Sequence, residues 1–250
     1  MMQNLERESW YVGNLVGVPI FAHWSALIMV LMVAAGSYQQ PVVLVVTLIV
    51  LIFAILLHEL GHGLTAQAFG SRGITITLWA FGGLCRSTRD PARIGRELAI
   101  VAAGPAVSLA LAVIGWIAAK QLYNVDLLSP MSGYALYKTG SLLALFVVKL
   151  YHVNLWLFIF NMMPIYPMDG GQLVYNAALG VTRRQLLARQ ITLTLAVPGA
   201  IGLFCWQTEL ITVLQLGGGI GDWANQLGFN DLFLAVLLAF IVRSAFLILA

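Results

Sequence analysis

Charge is what this sequence lacks most. Asp, Glu, Lys and Arg make up 9% of its 250 residues, where a soluble domain carries about 25%. A soluble globule clothes itself in ionised side chains, so a water-facing surface of ordinary size is excluded. No basic stripe is present either. The formal net charge is +3, too small to neutralise a run of phosphates, and a nucleic-acid partner is excluded with it. Cysteine is nearly absent, with Cys85 and Cys205 alone, so no disulfide framework is expected. Internal repeats and low-complexity tracts are missing as well. What abounds is apolar: 60% of the chain is hydrophobic, against about 45–50% in soluble domains. That composition belongs in a lipid bilayer.

Six apolar runs follow one another, at about 21–35, 42–69, 97–119, 141–161, 186–210 and 232–250. A helix needs about 20 residues to cross the hydrocarbon core, so several of these are short or tilted. The first run ends in Ala34-Ala35-Gly36-Ser37, as a secretory signal would. Glu6, Arg7 and Glu8 do not make the positive flank that a signal needs, so the run is read as a span. Pro198-Gly199 is expected to kink the fifth. Alternation puts Arg7, Arg72, Arg86, Arg89, Arg93, Arg96, Arg183, Arg184 and Arg189 on one side of the membrane. Lys120 and Lys138 fall opposite, with Asp126, Glu209, Asp222 and Asp231. The positive-inside rule makes the arginine side cytoplasmic, with both termini there. Cys85 and Cys205 then lie on opposite faces and cannot pair.

The expected architecture is an all-α polytopic membrane protein, one domain over residues 1–250, with about six transmembrane helices. Between the second and third spans, Gly73 to Leu84 alternates Ile74, Ile76 and Leu78 with Thr75 and Thr77. That period of two reads as strand and predicts a short membrane-associated β-hairpin. It could pair edge-on with an extended substrate, or merely connect two spans.

Inside the second run lies His58-Glu59-Leu60-Gly61-His62. Residues four apart share a helix face, so both imidazoles can bind one metal ion while Glu59 stands beside it. A charged group inside a membrane helix costs about 2.5–3.5 kcal/mol or more, so such residues are rarely idle. Gly61 and Gly63 leave room for a neighbouring helix or a substrate backbone. Catalytic zinc takes three protein ligands and keeps a fourth position for water. The candidates for the third are His23, Glu97, His152 and Asp169, with Asp169 preferred. Pro164 and Pro167 forbid a regular helix just before it, and Gly170-Gly171 lets the backbone turn. A carboxylate on broken backbone at membrane depth needs a partner. His152 reads as a hydrogen-bonded core histidine, His23 as an interfacial residue beside Trp24, and Glu97 as a first-turn acid favoured by the helix dipole. Lys149 and Arg243, also within apolar runs, either line a water path or snorkel.

At these residues the chain resembles the site-2 protease family of intramembrane zinc metalloproteases. Three stretches carry the likeness: His58 to His62, Asn161 to Gly170 as the family's Asn-x-x-Pro-x-x-Pro-Leu-Asp-Gly motif, and Ala103-Gly104-Pro105. Phe81-Gly82-Gly83 and His23-Trp24-Ser25 are similar to the compact prokaryotic branch, and no PDZ domain separates the motifs. Met168 stands where the motif has Leu, a volume-conserving change. The resemblance implies one Zn2+ per chain held by His58, His62 and Asp169, with Glu59 as general base and Asn161 contacting substrate or oxyanion. Capping a helix end is the other reading of Asn161. The implied activity is hydrolysis of peptide bonds within single-span membrane-protein substrates near the cytoplasmic face, in a prokaryotic cytoplasmic membrane. Three other readings are weaker. A prenyl-protein endopeptidase needs a downstream Glu-x-x-x-Asp, which neither Glu97 nor Glu209 supplies. A transporter predicts paired broken helices in two related halves. A binding-only pseudoprotease has no use for Glu59.

Overall fold

The computed structural model describes residues 8–37, 40–80, 82–88, 93–128, 136, 141–207, 239 and 242–243. The chain divides into two compact units, Met1–Ile159 and Phe160–Ala250, taken here one at a time.

The first unit opens on strands, which corrects the all-α expectation. Strand β1 (Ser9–Leu15) turns through Val16-Gly17 into β2 (Val18–His23), with φ of 52° and 82° at the two turn residues. A two-residue hairpin loop with positive φ at both central positions suits glycine, and Val16 is out of place in it. A short helix, α1 (Ala26–Ser37), and a long one, α2 (Pro41–Ala68), follow. Then come β3 (Thr75–Trp79) and β4 (Gly82–Arg86). The predicted hairpin is therefore present, but as half of a four-stranded sheet in the order β1-β2-β3-β4. The central pair β2–β3 is parallel, with Phe21 opposite Thr77, and β3–β4 is antiparallel, with Thr77 opposite Leu84. Val18 and Ile76 of the sheet bury their side chains against Leu60 of α2. The sheet is thus held to the helix that carries the His-Glu-x-x-His pattern.

The expected first span also changes. Residues 21–23 belong to β2, and α1 has 12 residues, about 18 Å of helix against a hydrocarbon core of about 30 Å. The next three runs fall where hydropathy puts them, in α2, α3 (Ile94–Tyr123) and α4 (Leu142–Asn161). These helices are long and apolar enough to cross a membrane. Val42, Val45, Ile49 and Phe53 of α2 point outward, as do Val113, Ile114 and Ile117 of α3, which suits side chains bathed in lipid. Val46 and Val50 of α2 pack inward with Leu145 of α4. Beyond α3, the Asp126 carboxylate accepts hydrogen bonds from the Trp116 indole (2.9 Å) and the Leu128 amide (3.0 Å). These donors, aided by Lys120, hold its pKa below the ordinary value. The clasp is therefore present above the usual carboxylate range and is lost as the pH falls through the lowered pKa.

In the second unit, α4 ends at Asn161 and the two prolines break the helix as expected. The chain then resumes a helix sooner than the sequence suggested. Asp169 does not sit on the broken backbone; it occupies the first turn of α5 (Asp169–Thr182), after Met168 as N-cap. Gly170 and Gly171 do not make a turn of their own. A Cβ on Gly170 would lie 2.3 Å from the Met162 carbonyl oxygen, and one on Gly171 2.3 Å from the Tyr166 nitrogen, so they let the proline segment fold back over the first turn of α5. Met163, Ile165 and Met168 of that segment pack on Ala196 and Ala200 of α6 (Gln185–Gln207), which runs on through Pro198. The sixth expected span lies outside the described residues apart from Ala239, Val242 and Arg243.

Candidate metal centre

Helix geometry brings His58 and His62 onto one face of α2, and α3 closes over them. The two Nε2 atoms lie 3.2 Å apart. Two nitrogens each roughly 2.0–2.1 Å from a tetrahedral ion are themselves roughly 3.3–3.4 Å apart, so the spacing matches a shared metal. Each ring is held from behind. His62 Nδ1 is 2.8 Å from the Ile100 carbonyl oxygen, which can only accept, so this nitrogen donates and Nε2 keeps its lone pair. His58 Nδ1 meets the Ser108 hydroxyl at 2.8 Å. Both partners come from α3.

Close approach of α3 depends on two glycines. A Cβ on Gly61 would lie 2.8 Å from the Ala103 carbonyl oxygen, so Gly61 serves helix packing. A Cβ on Gly104 would lie 2.2 Å from His62 Nε2 and 2.8 Å from His58 Nε2. Any residue but glycine at 104 would thus occupy the space between the two ring nitrogens and the opposing helix.

Glu59 is buried at 7% exposure on the same helix. Its side chain lies against β4, where a Cβ on Gly83 would fall 2.3 Å from Glu59 Cγ and 2.7 Å from Oε1. The carboxylate is thus set between the active face of α2 and an outer strand of the sheet.

The other candidates divide. Asp169, in the second unit, is buried at the start of α5, where the helix dipole favours a carboxylate. Asn161 is the last residue of α4 and half-buried. Glu97 is buried in the first turn of α3, as anticipated. His152 donates from Nδ1 to the Val148 carbonyl oxygen of its own helix at 2.9 Å, in keeping with a hydrogen-bonded histidine. His23 packs beside Trp24, with ring centroids 5.3 Å apart. It is buried, and its ring nitrogens face Ser25 Oγ (2.7 Å) and Glu8 Oε2 (3.4 Å). Ser25 Oγ in turn accepts the Ala80 amide at 3.1 Å, which ties the β3–β4 turn to the end of β2. Cys85 and Cys205 are not joined in a disulfide.

His58, His62 and Asp169 each offer one ligand atom, two imidazole nitrogens and a carboxylate oxygen, and all three are buried. That donor set could hold one zinc ion and leave a fourth position for water.

Comparison with known proteins agrees with this chemistry. The pattern of Peptidase family M50 matches residues 46–205, well over half the chain. This chain belongs to peptidase family M50. It is the site-2 protease family that the motifs resemble. M50 relatives named as zinc metalloproteases include one from Methanocaldococcus jannaschii, 29% identical over 74% of this chain and 50% of that protein. A putative zinc metalloprotease of Synechocystis is 31% identical over 70% of this chain and 45% of its own length. The chain therefore spans about half the length of these curated relatives. The solved site-2 protease from Methanocaldococcus jannaschii shares the fold, with a TM-score of 0.59 at 24% identity, over 95% of this chain and 93% of that one.

The Gly104 geometry gives a direct test of the M50 centre. Gly104→Ala is expected to weaken zinc binding at least about tenfold, the scale on which disturbed metal surroundings act. Metal analysis of the purified protein after dialysis against a graded chelator measures it.

Proposed function

We propose that this chain is an intramembrane zinc endopeptidase that cuts single-span membrane proteins near the cytoplasmic face. The observation that carries the reading is the pair of Nε2 atoms 3.2 Å apart on α2, with Glu59 buried beside them. His58, His62 and Asp169 hold the zinc, and the two compact units work as one domain over residues 1–250. Family membership, the metalloprotease names of the relatives and the donor chemistry support this.

Zinc held there supplies Lewis acidity, which polarises the scissile carbonyl and acidifies the attacking water toward a pKa of about 7. The remaining steps belong to the protein. Glu59 accepts the proton of the attacking water and delivers it to the departing amide nitrogen. The Ile100 carbonyl fixes the His62 ring while charge develops. Asn161 donates from its side-chain amide to the substrate carbonyl as it becomes an oxyanion.

A substrate helix must first be unwound, since its carbonyls are already bonded within the helix. Strand β4, an outer strand of the sheet that passes Glu59 at Gly83, offers the extended segment a strand to pair with. This moves the expected contact. Ile76 and Thr77 lie in β3, flanked on both sides by β2 and β4, so they have no open edge to offer.

The chain sits in a prokaryotic cytoplasmic membrane as a multi-pass protein with its arginine-rich side cytoplasmic. The arginine asymmetry and three long apolar helices support that placement.

Cleavage of a labelled single-span substrate in detergent, with bound zinc assayed alongside, tests the reading. Glu59→Gln should keep its zinc and lose about 10²–10⁴-fold in rate, whereas Asp169→Ala should weaken zinc binding. Undiminished cleavage by Glu59→Gln would overturn the mechanism. Strand pairing has its own test, because successive residues of an outer strand turn their amides alternately inward and outward. Of Leu84→Pro and Cys85→Pro, the one that removes the outward amide should stay folded and lose cleavage. If both variants cut normally, β4 does not receive the substrate.

A further inference from the structure

We propose that Ser108 is a positioning residue for the metal centre: its hydroxyl accepts a hydrogen bond from His58 Nδ1–H and so presents the Nε2 lone pair to the zinc. The inference rests on the zinc reading of His58 and His62 and adds a residue that no motif of the sequence singles out.

Ser108 is the lone hydroxyl of α3 between Glu97 and Lys120 and is fully buried, at 0% exposure. Burial alone does not explain where it points. A serine inside a helix can satisfy itself on the carbonyl one turn back, with no need of another helix. Yet its Oγ lies 2.8 Å from His58 Nδ1 on α2, fifty residues away in sequence. Packing alone would be met by alanine, which fills positions 106, 110 and 112 of the same helix.

The neighbouring ring shows what the site requires. His62 donates a hydrogen bond from Nδ1–H to the Ile100 carbonyl, so its tautomer is set by the backbone. A side chain cannot be exchanged out of that arrangement. His58 depends instead on a hydroxyl, and its orientation can be removed by one substitution. Without an acceptor at Nδ1, a metal-bound His58 would bury an unpartnered N–H. The free ring could also carry its proton on Nε2, the nitrogen that faces His62, where it blocks the metal. Ligating histidines generally hand their second N–H to such an acceptor, and its loss costs about 10–100-fold in metal affinity.

The test uses the full chain in detergent and two readouts that need no substrate. One is zinc affinity by chelator competition, and the other is the visible spectrum of the cobalt(II)-substituted protein. Ser108→Thr keeps the hydroxyl, while Ser108→Val has nearly the same volume without it, so packing effects cancel between them. Ser108→Val, like Ser108→Ala, is expected to bind zinc about 10–100-fold more weakly than Ser108→Thr and to shift the cobalt bands. Equal affinities and identical spectra for the Thr and Val variants would overturn the role of Ser108 and leave the zinc reading standing. Failure of the wild-type chain to bind zinc would overturn both.

Discussion

An imidazole can offer Nε2 to a metal only if the proton on Nδ1 has somewhere to go. In water that place is always at hand, but inside a membrane helix the protein must build it. Much of the first unit follows from this constraint. Two acceptors, the Ile100 carbonyl and the Ser108 hydroxyl, must stand 2.8 Å from the rings, and both lie on α3. Helix α3 must therefore come closer to α2 than bulky side chains allow. Gly61 lets the Ala103 carbonyl approach, and Gly104 leaves the space around both Nε2 atoms clear. Apolar side chains turned outward then meet lipid, where they carry no penalty.

The same economy of space governs Glu59. A carboxylate at this depth has to be kept close to its work and away from hydrocarbon. The sheet provides the wall: Ile76 and Val18 anchor it to Leu60, and Gly83 lets β4 lie directly on the Glu59 side chain. The His23-Ser25-Ala80 hydrogen bonds fasten the turn from which β4 departs. His58, Glu59 and His62 thereby meet their neighbours from α3 and the sheet within two turns of α2.

The three long helices and the His-Glu-x-x-His spacing were legible because both signals are dense and local. The run expected at 42–69 became Pro41–Ala68, and residues four apart fell on one face as any helix requires. The amino-terminal strands were not legible. Val18 to Ala22 is a short apolar run, and such runs read alike as strand or helix when their pairing partner lies some 55 residues downstream. Helix α5 was obscured by Gly170-Gly171, whose purpose is the backward fold of the proline segment and not a turn. Ser108 left only a faint trace, a single serine in an apolar helix. Its significance depends on a contact with α2 that no local pattern encodes.

X-ray absorption at the zinc edge of the zinc-loaded chain tests the central claim most directly. The account predicts imidazole nitrogen and carboxylate or water oxygen at about 2.0–2.2 Å, with two imidazoles resolved in the outer scattering and no sulfur. Cys85 supplies the opposing possibility, since its Sγ lies 3.5 Å from where a Cβ on Gly63 would stand, one residue from His62. A scatterer at about 2.3 Å, the zinc–thiolate distance, or only one imidazole, would contradict the account.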